Sequence, residues 1–316
     1  MKKRNRMVAL MLAAVMSMSL AACGKSGNDS QPTGQDAGVE ADADADAAAE
    51  SASEEAEAPE EETEDPFAAA QENMTSVTSL DAKTVMEMDM VVSADGQEQS
   101  VESVTTMDMS CFYEPLRMRM EMTVDAGEAG SVSTTLYAET DESGTCTAYM
   151  NDGTGWQSQT VSAADLDQYD FSTDMNLYLT GDYGFEEAGT EAVDGANAYK
   201  YTGAITGDEM KELMLASGAM NSVSQLGLDT TQVDSMLDGL GDLAINLWID
   251  EATLYPVKYE IDMTDAMNTL MTNMVEAMGE QGEGVSMSIP KMTMSMTCSN
   301  YNAATDFTVP EEAKAE

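Results

Sequence analysis

Histidine is absent from the sequence. That absence excludes Ser-His-Asp and Cys-His catalysis and His-ligated zinc, since each needs an imidazole. Basic residues are scarce. Four of the 13 (Lys2, Lys3, Arg4 and Arg6) precede Cys23, so the chain from Cys23 onward carries nine against 59 acidic residues, a net charge of −50. Such a chain repels nucleic acid, teichoic phosphates and anionic head groups, which excludes nucleic acid as a partner. Aromatic residues are few as well, and Trp156 and Trp248 read as packing anchors rather than ligand platforms. Apart from Cys23, the cysteines number three, Cys111, Cys146 and Cys298. An odd number cannot pair fully within one chain, and their spacings match no metal motif.

No apolar run reaches the ~20 residues of a spanning helix. The apolar stretch Met7–Leu20 follows a basic start and leads into Leu20-Ala21-Ala22-Cys23. Residues 1–22 therefore read as a lipoprotein signal peptide, with Cys23 acylated, for example by palmitate, as the new first residue. Buried acyl methylenes contribute about 0.8 kcal/mol each, so two chains hold durably. The expected location is the outer face of the cell membrane. Gly24–Pro66 has Ala-Asp repeats and the run Glu60-Glu61-Glu62 but no aromatic residue. Low hydrophobicity and like charge predict an extended, disordered spacer, so that 23–66 forms an acidic linker.

What is abundant is methionine, with 29 residues. Met86, Met88 and Met90 alternate with Glu87 and Asp89; Met107 and Met109 flank Asp108; Met118, Met120 and Met122 alternate with Arg119 and Glu121. A period of two places successive side chains on opposite sheet faces, so these strands have one methionine face and one charged face. Met292, Met294, Met296 and Cys298 repeat the device. Met287 and Ile289 have the other parity, and a bulge at Pro290-Lys291 would return all of them to one face.

A short helix is expected over Phe67–Leu80, then strands over Val85–Ala94, Val101–Tyr113, Leu116–Val124, Val132–Glu139, Thr145–Met150 and Trp156–Val161. Further strands follow over Phe185–Val193, Ala198–Thr206, Leu243–Asp250, Leu254–Met263 and Val285–Asn300. Asp95-Gly96, Asn151-Asp152-Gly153 and Asp194-Gly195 mark hairpins. Ala163–Gly184 reads as loop with a helical turn around Met175–Leu179. Helical spacing marks Asp208–Met220, a helix capped by Asp229, and Thr264–Met278, where Met267, Leu270, Met271, Met274 and Met278 share one stripe. Roughly ten antiparallel strands with helices on their apolar side give a single α+β layer domain.

Methionine is flexible and over-used on surfaces that accept varied apolar ligands. One reading is a lipid-binding cavity between sheet and helices, lined by Met86, Met88, Met90, Met107, Met109, Met118, Met120, Met122, Met267, Met271, Met274, Met292, Met294 and Met296. The alternative is a filled methionine core in a structural, sensor or protein-interaction module of the envelope, since an apolar stripe at strand spacing is usually core. A minor alternative is Cu(I) on Met-x-Met arrays, with Cys111 and Cys298 sharing their parity. Carboxylates are too abundant for any catalytic pair to be informative, so no catalytic residue, cofactor or metal is assigned and the chain reads as a non-enzyme. Arg117 and Arg119 are expected to pair with Glu87, Asp89 or Asp108 on neighbouring strands.

The order of parts resembles the LolA/LppX-like lipoprotein superfamily, in its uncharacterised Gram-positive branch. The resemblance rests on Leu-Ala-Ala-Cys23, the acidic linker and the helix before long alternating strands. It also rests on Tyr149-Met150-Asn151-Asp152-Gly153-Thr154-Gly155-Trp156 and on Leu247-Trp248-Ile249-Asp250, continued to Pro256-Val257-Lys258. It implies a strongly curved antiparallel sheet, a half-barrel, with helices covering its concave apolar face over 67–310, and a tail at 311–316. It also implies carriage of a lipid or other apolar molecule, with no catalytic residues to transfer.

Overall fold

The computed structural model describes residues 65–94, 97–127, 130–161, 179, 183–210, 238–277 and 285–315. The signal peptide, Cys23 and the linker through 64 lie outside the described residues. So do most of Ala163–Gly184, most of the expected Asp208–Met220 helix, and the helix expected from Asp229.

Helix α1, Pro66–Met74, starts where Asp65 accepts from the Phe67 N–H at 3.0 Å and proline occupies the first turn. It is shorter than the expected Phe67–Leu80. The Thr75 and Ser76 hydroxyls bond back to the Glu72 and Asn73 carbonyls, which closes the last turn, and the Thr78 N–H is taken by Asn302. Leu80 is thereby released into the first strand.

The strands are β1 (Ser79–Ala94), β2 (Gln97–Tyr113), β3 (Leu116–Asp125), β4 (Ser131–Thr140), β5 (Cys146–Asn151) and β6 (Trp156–Val161). They continue as β7 (Glu186–Val193), β8 (Ala196–Ile205), β9 (Leu243–Asp250), β10 (Pro256–Asp262) and, after helix α2 (Thr264–Ala277), β11 (Val285–Ser299). All eleven form one open, curved sheet in the order β6-β5-β4-β3-β2-β1-β11-β10-β9-β8-β7, every neighbouring pair antiparallel. The first and last strands meet at its centre. Hairpins fall where expected: Ala94 pairs with Gln97 across Asp95-Gly96, and Val193 with Ala196 across Asp194-Gly195. Asp194 and Gly195 both take positive φ, 49° and 89°, which matches the strand twist in a two-residue turn.

The pairing of β1 with β11 shifts register between Asp89/Lys291 and Val91/Ser288. Before the shift Met86 faces Met294 and Met88 faces Met292; after it Val92 faces Met287. The extra residue at the Ile289–Pro290 step therefore restores parity, as the sequence pattern requires.

The apolar face carries the main core. One cluster runs from Ala70 and Met74 of α1 through Leu80, Met109, Met118, Ala138 and Cys146 to Tyr201, Leu247, Tyr259, Met296 and Cys298. A smaller one joins Ile205, Leu243, Ile245 and Ile261 to Ala266 of α2 and to Met294. On the opposite face the segment after β11 lays Phe307, Val309 and Ala313 against Tyr137, Tyr149 and Trp156. This packing runs into 311–316, the stretch read from the sequence as a tail.

Candidate functional site

Register settles which methionines share a face. Met107, Met109 and Cys111 of β2 lie opposite Met122, Met120 and Met118 of β3, and opposite Thr84, Ala82 and Leu80 of β1. Met86 and Met88 then meet Met294 and Met292, while Thr84 meets Met296. The eleven strand methionines named from the sequence therefore lie on one side of the sheet.

They are not equally covered. Helix α2 packs along β11 with Leu270, Met271 and Met274 fully buried and Met267 half-buried. Beneath it Met88, Met90, Met292 and Ile289 are buried as well. Toward α1, Met109, Met118 and Met296 are closed off in the main cluster. The remaining corner, the far ends of β3, β4 and β5, is only partly covered. Met120, Met122, Val124 and Leu136 are half-buried there, and on the same face Met150 is 40% exposed and Val132 62% exposed. Met86 and Met107 are half-buried beside this corner.

Asn268 explains why α2 stays where it is, and sequence reasoning missed it. The bulge takes the backbone groups of Ile289 out of the ladder. The Asn268 amide donates to the Ile289 carbonyl at 2.6 Å, and its oxygen accepts from the Ile289 N–H at 2.7 Å. Thr264 Oγ1 accepts from the Met292 N–H at 2.9 Å. The helix thus satisfies the backbone groups that the bulge strands. The one available signal was a polar residue at i+4 from Thr264 on an otherwise apolar stripe.

A family profile matches residues 62–316. The chain belongs to DUF6612, a family of unknown function. No curated protein matches it. Among solved structures, the chain is similar to lipoprotein LppX of Mycobacterium tuberculosis, at 13% identity over 76% of this chain and 95% of that one, with a TM-score of 0.38. LprF of Mycobacterium bovis is similar at 15% identity, over 78% of this chain and 94% of that one, with a TM-score of 0.42. A LolA superfamily protein of Nitrosomonas europaea shares 12% identity over 79% of this chain and 96% of that one, with a TM-score of 0.19.

In this DUF6612 chain the three described cysteines are buried thiols. Burial pushes Cys298 up to about 12, against the opposing hydrogen bond with Tyr301, so it stays a neutral thiol at physiological pH. Cys111 lies opposite Met118 on the methionine face.

The other face is charged, but its pairing departs from expectation. Arg119 pairs with Glu121 at 2.6 Å on its own strand, and Arg117 with Asp306 at 3.0 Å. Neither meets Glu87, Asp89 or Asp108. Glu87 and Asp89 are two strands away from β3, and the residue opposite Arg119 is Ser110. Arg117 instead lies between the Phe112 and Phe307 rings, at 5.2 Å and 4.9 Å, and donates to the Phe307 carbonyl at 2.6 Å. It clamps the C-terminal segment onto the sheet. Trp248, only 2% exposed, is sandwiched by Lys200 and Lys258 and donates its indole N–H to Glu191 at 3.0 Å. It is a packing anchor on the charged face. No group of three or more His, Cys, Asp or Glu side chains able to hold a metal occurs among the described residues.

Proposed function

We propose that this chain is an extracytoplasmic lipoprotein, tethered to the outer face of the cell membrane through acylated Cys23, that binds a lipid or other apolar molecule on its methionine face. The carrying observation is the uneven cover of that face. The apolar sheet surface is buried at Met88, Met90, Met109, Met118, Met292 and Met296, half-buried at Met120, Met122 and Leu136, and exposed at Val132 and Met150. Contiguous exposed apolar surface bordered by polar residues marks a binding site more often than a packing defect. Methionine suits such a site because its unbranched thioether re-packs around acyl chains of differing shape. The reading assigns no catalytic residue and no cofactor.

Binding of a fluorescent fatty acid to the Cys23→Ser chain tests it. Met120→Trp should weaken uptake at least severalfold with little change in melting temperature. Absence of binding by the unsubstituted face would leave a filled methionine core. The tether is tested apart from this, by palmitate labelling and detergent partitioning, both of which Cys23→Ala should abolish.

A further inference from the structure

The face opposite the methionines holds a second feature, independent of the apolar reading. All seven described basic residues lie on it, in a chain of strongly negative charge. Six of them touch a carboxylate at 3.0 Å or less: Arg117, Arg119, Lys200, Lys258, Lys291 and Lys314. Lys83 is the exception. Its ammonium stands 3.7 Å from Asp108, beyond hydrogen-bond range, and both side chains are more than half exposed at 54% and 53%.

Lys83 and Asp108 are directly opposite each other on β1 and β2 and line a cleft of about 240 Å³. Its floor includes Ser110 and Arg119, and Thr305 forms one wall. That wall is built. Asp81 accepts from the Thr305 N–H at 3.1 Å, from the Thr305 hydroxyl at 2.7 Å and from the Asn300 amide at 2.8 Å, which bends the chain after β11 over the sheet. The Asp81 carboxylate is thereby committed to the wall, whereas Lys83 and Asp108 face the cleft with hydrogen-bonding capacity to spare.

The charges choose the ligand class. A simple anion would meet the Asp108 carboxylate, and a simple cation would meet Lys83 and Arg119. A molecule carrying both signs a few ångströms apart can meet both of these neighbouring side chains at once. The volume is below the roughly 300–1,000 Å³ of pockets for drug-sized ligands, so the molecule is small. We propose that this cleft binds a small zwitterion of amino-acid type, its carboxylate on Lys83 and its ammonium on Asp108.

Titration of the Cys23→Ser chain with glycine, L-alanine and L-glutamine, followed by backbone NMR shifts, tests the proposal. Saturable shifts at Ser110 and Thr305 are expected, with a weak Kd of about 1 mM. Lys83→Met and Asp108→Asn should each weaken binding at least tenfold. Both residues are exposed, so an unchanged melting temperature confirms that the variants are folded. Propionate and propylamine, which carry one charge each, should not produce the shifts. The proposal is overturned if no amino acid shifts these residues up to about 10 mM, tenfold above that Kd. Equal binding by either variant, or by propionate alone, also overturns it.

Discussion

Met88 and Met120 are the same residue type, on the same sheet face, with the same parity. Met88 is 5% exposed and Met120 is half-buried. The difference is not in the strands. Met88 lies opposite Met292 on β11, along which α2 packs, whereas Met120 lies on β3 toward the partly covered corner. Two corners of one apolar surface thus have opposite fates. The covered corner is core, where side chains meet α2 and lose water on all sides. The other corner stays half-wet, and a half-wet apolar surface has affinity left to give.

Five experiments break or sharpen that contrast. The largest effect is expected from Asn268→Ala, which removes the lock on the covered corner. It leaves both polar groups of Ile289 buried and unsatisfied, at about 1–3 kcal/mol each, so unfolding by urea should lose about 2–6 kcal/mol. A loss under about 1 kcal/mol would show that α2 is held by its apolar stripe alone.

Met88→Trp and Met120→Trp compare the corners directly. Overpacking a filled region costs about 1–3 kcal/mol, so Met88→Trp should lower stability by that amount and Met120→Trp by clearly less. Equal losses would mean that both corners are core. Hydrogen peroxide gives a gentler version of the same comparison. Met150 should become sulfoxide well before Met88 or Met271, as read by peptide mass spectrometry, because oxidation follows access.

The charged face supplies a control through Asp81. Burial pushes this carboxyl up, but hydrogen bonds from Asn300, Thr305 and Ser110 outweigh it and hold it below its ordinary value. A carboxylate depressed in the fold adds stability above its unfolded pKa of about 3.9, and that stability is lost as pH falls through the folded value. Asp81→Asn should therefore cost about 1–2 kcal/mol at neutral pH, and the gap should close below about pH 4. A gap that persists in acid would assign the loss to packing. The smallest effect belongs to Val132→Thr at the partly covered corner. Stability should stay within about 0.5 kcal/mol, and any change should appear in uptake of a fluorescent fatty acid.

Much of this was legible in the sequence. The period of two identified the methionine strands, and the odd-to-even switch around Pro290 announced the bulge that β11 contains. The Asp194-Gly195 turn followed from a need for positive φ at both positions. The membership of the methionine face was legible too, because alternation carries face identity residue by residue. Its division into covered and partly covered corners was not. Parity says which side a residue takes and nothing about what lies above it.

The partners on the charged face were equally illegible. Arg117 was expected to pair with a neighbouring strand and instead clamps Asp306 and Phe307, far along the chain. Pairing of this kind depends on where a loop crosses a sheet, and no short-range pattern records that. Local chemistry along the chain, the alternation, the turns and the lack of histidine, was enough to determine an antiparallel sheet with one apolar face and to exclude imidazole-dependent catalysis. Only the tertiary structure decided that Asn268 closes the bulge, that α2 covers one corner while another is only partly covered, and that the segment after β11 walls a cleft. Each of these joins residues distant in sequence, whose meeting is set by the packing of whole elements rather than by local pattern.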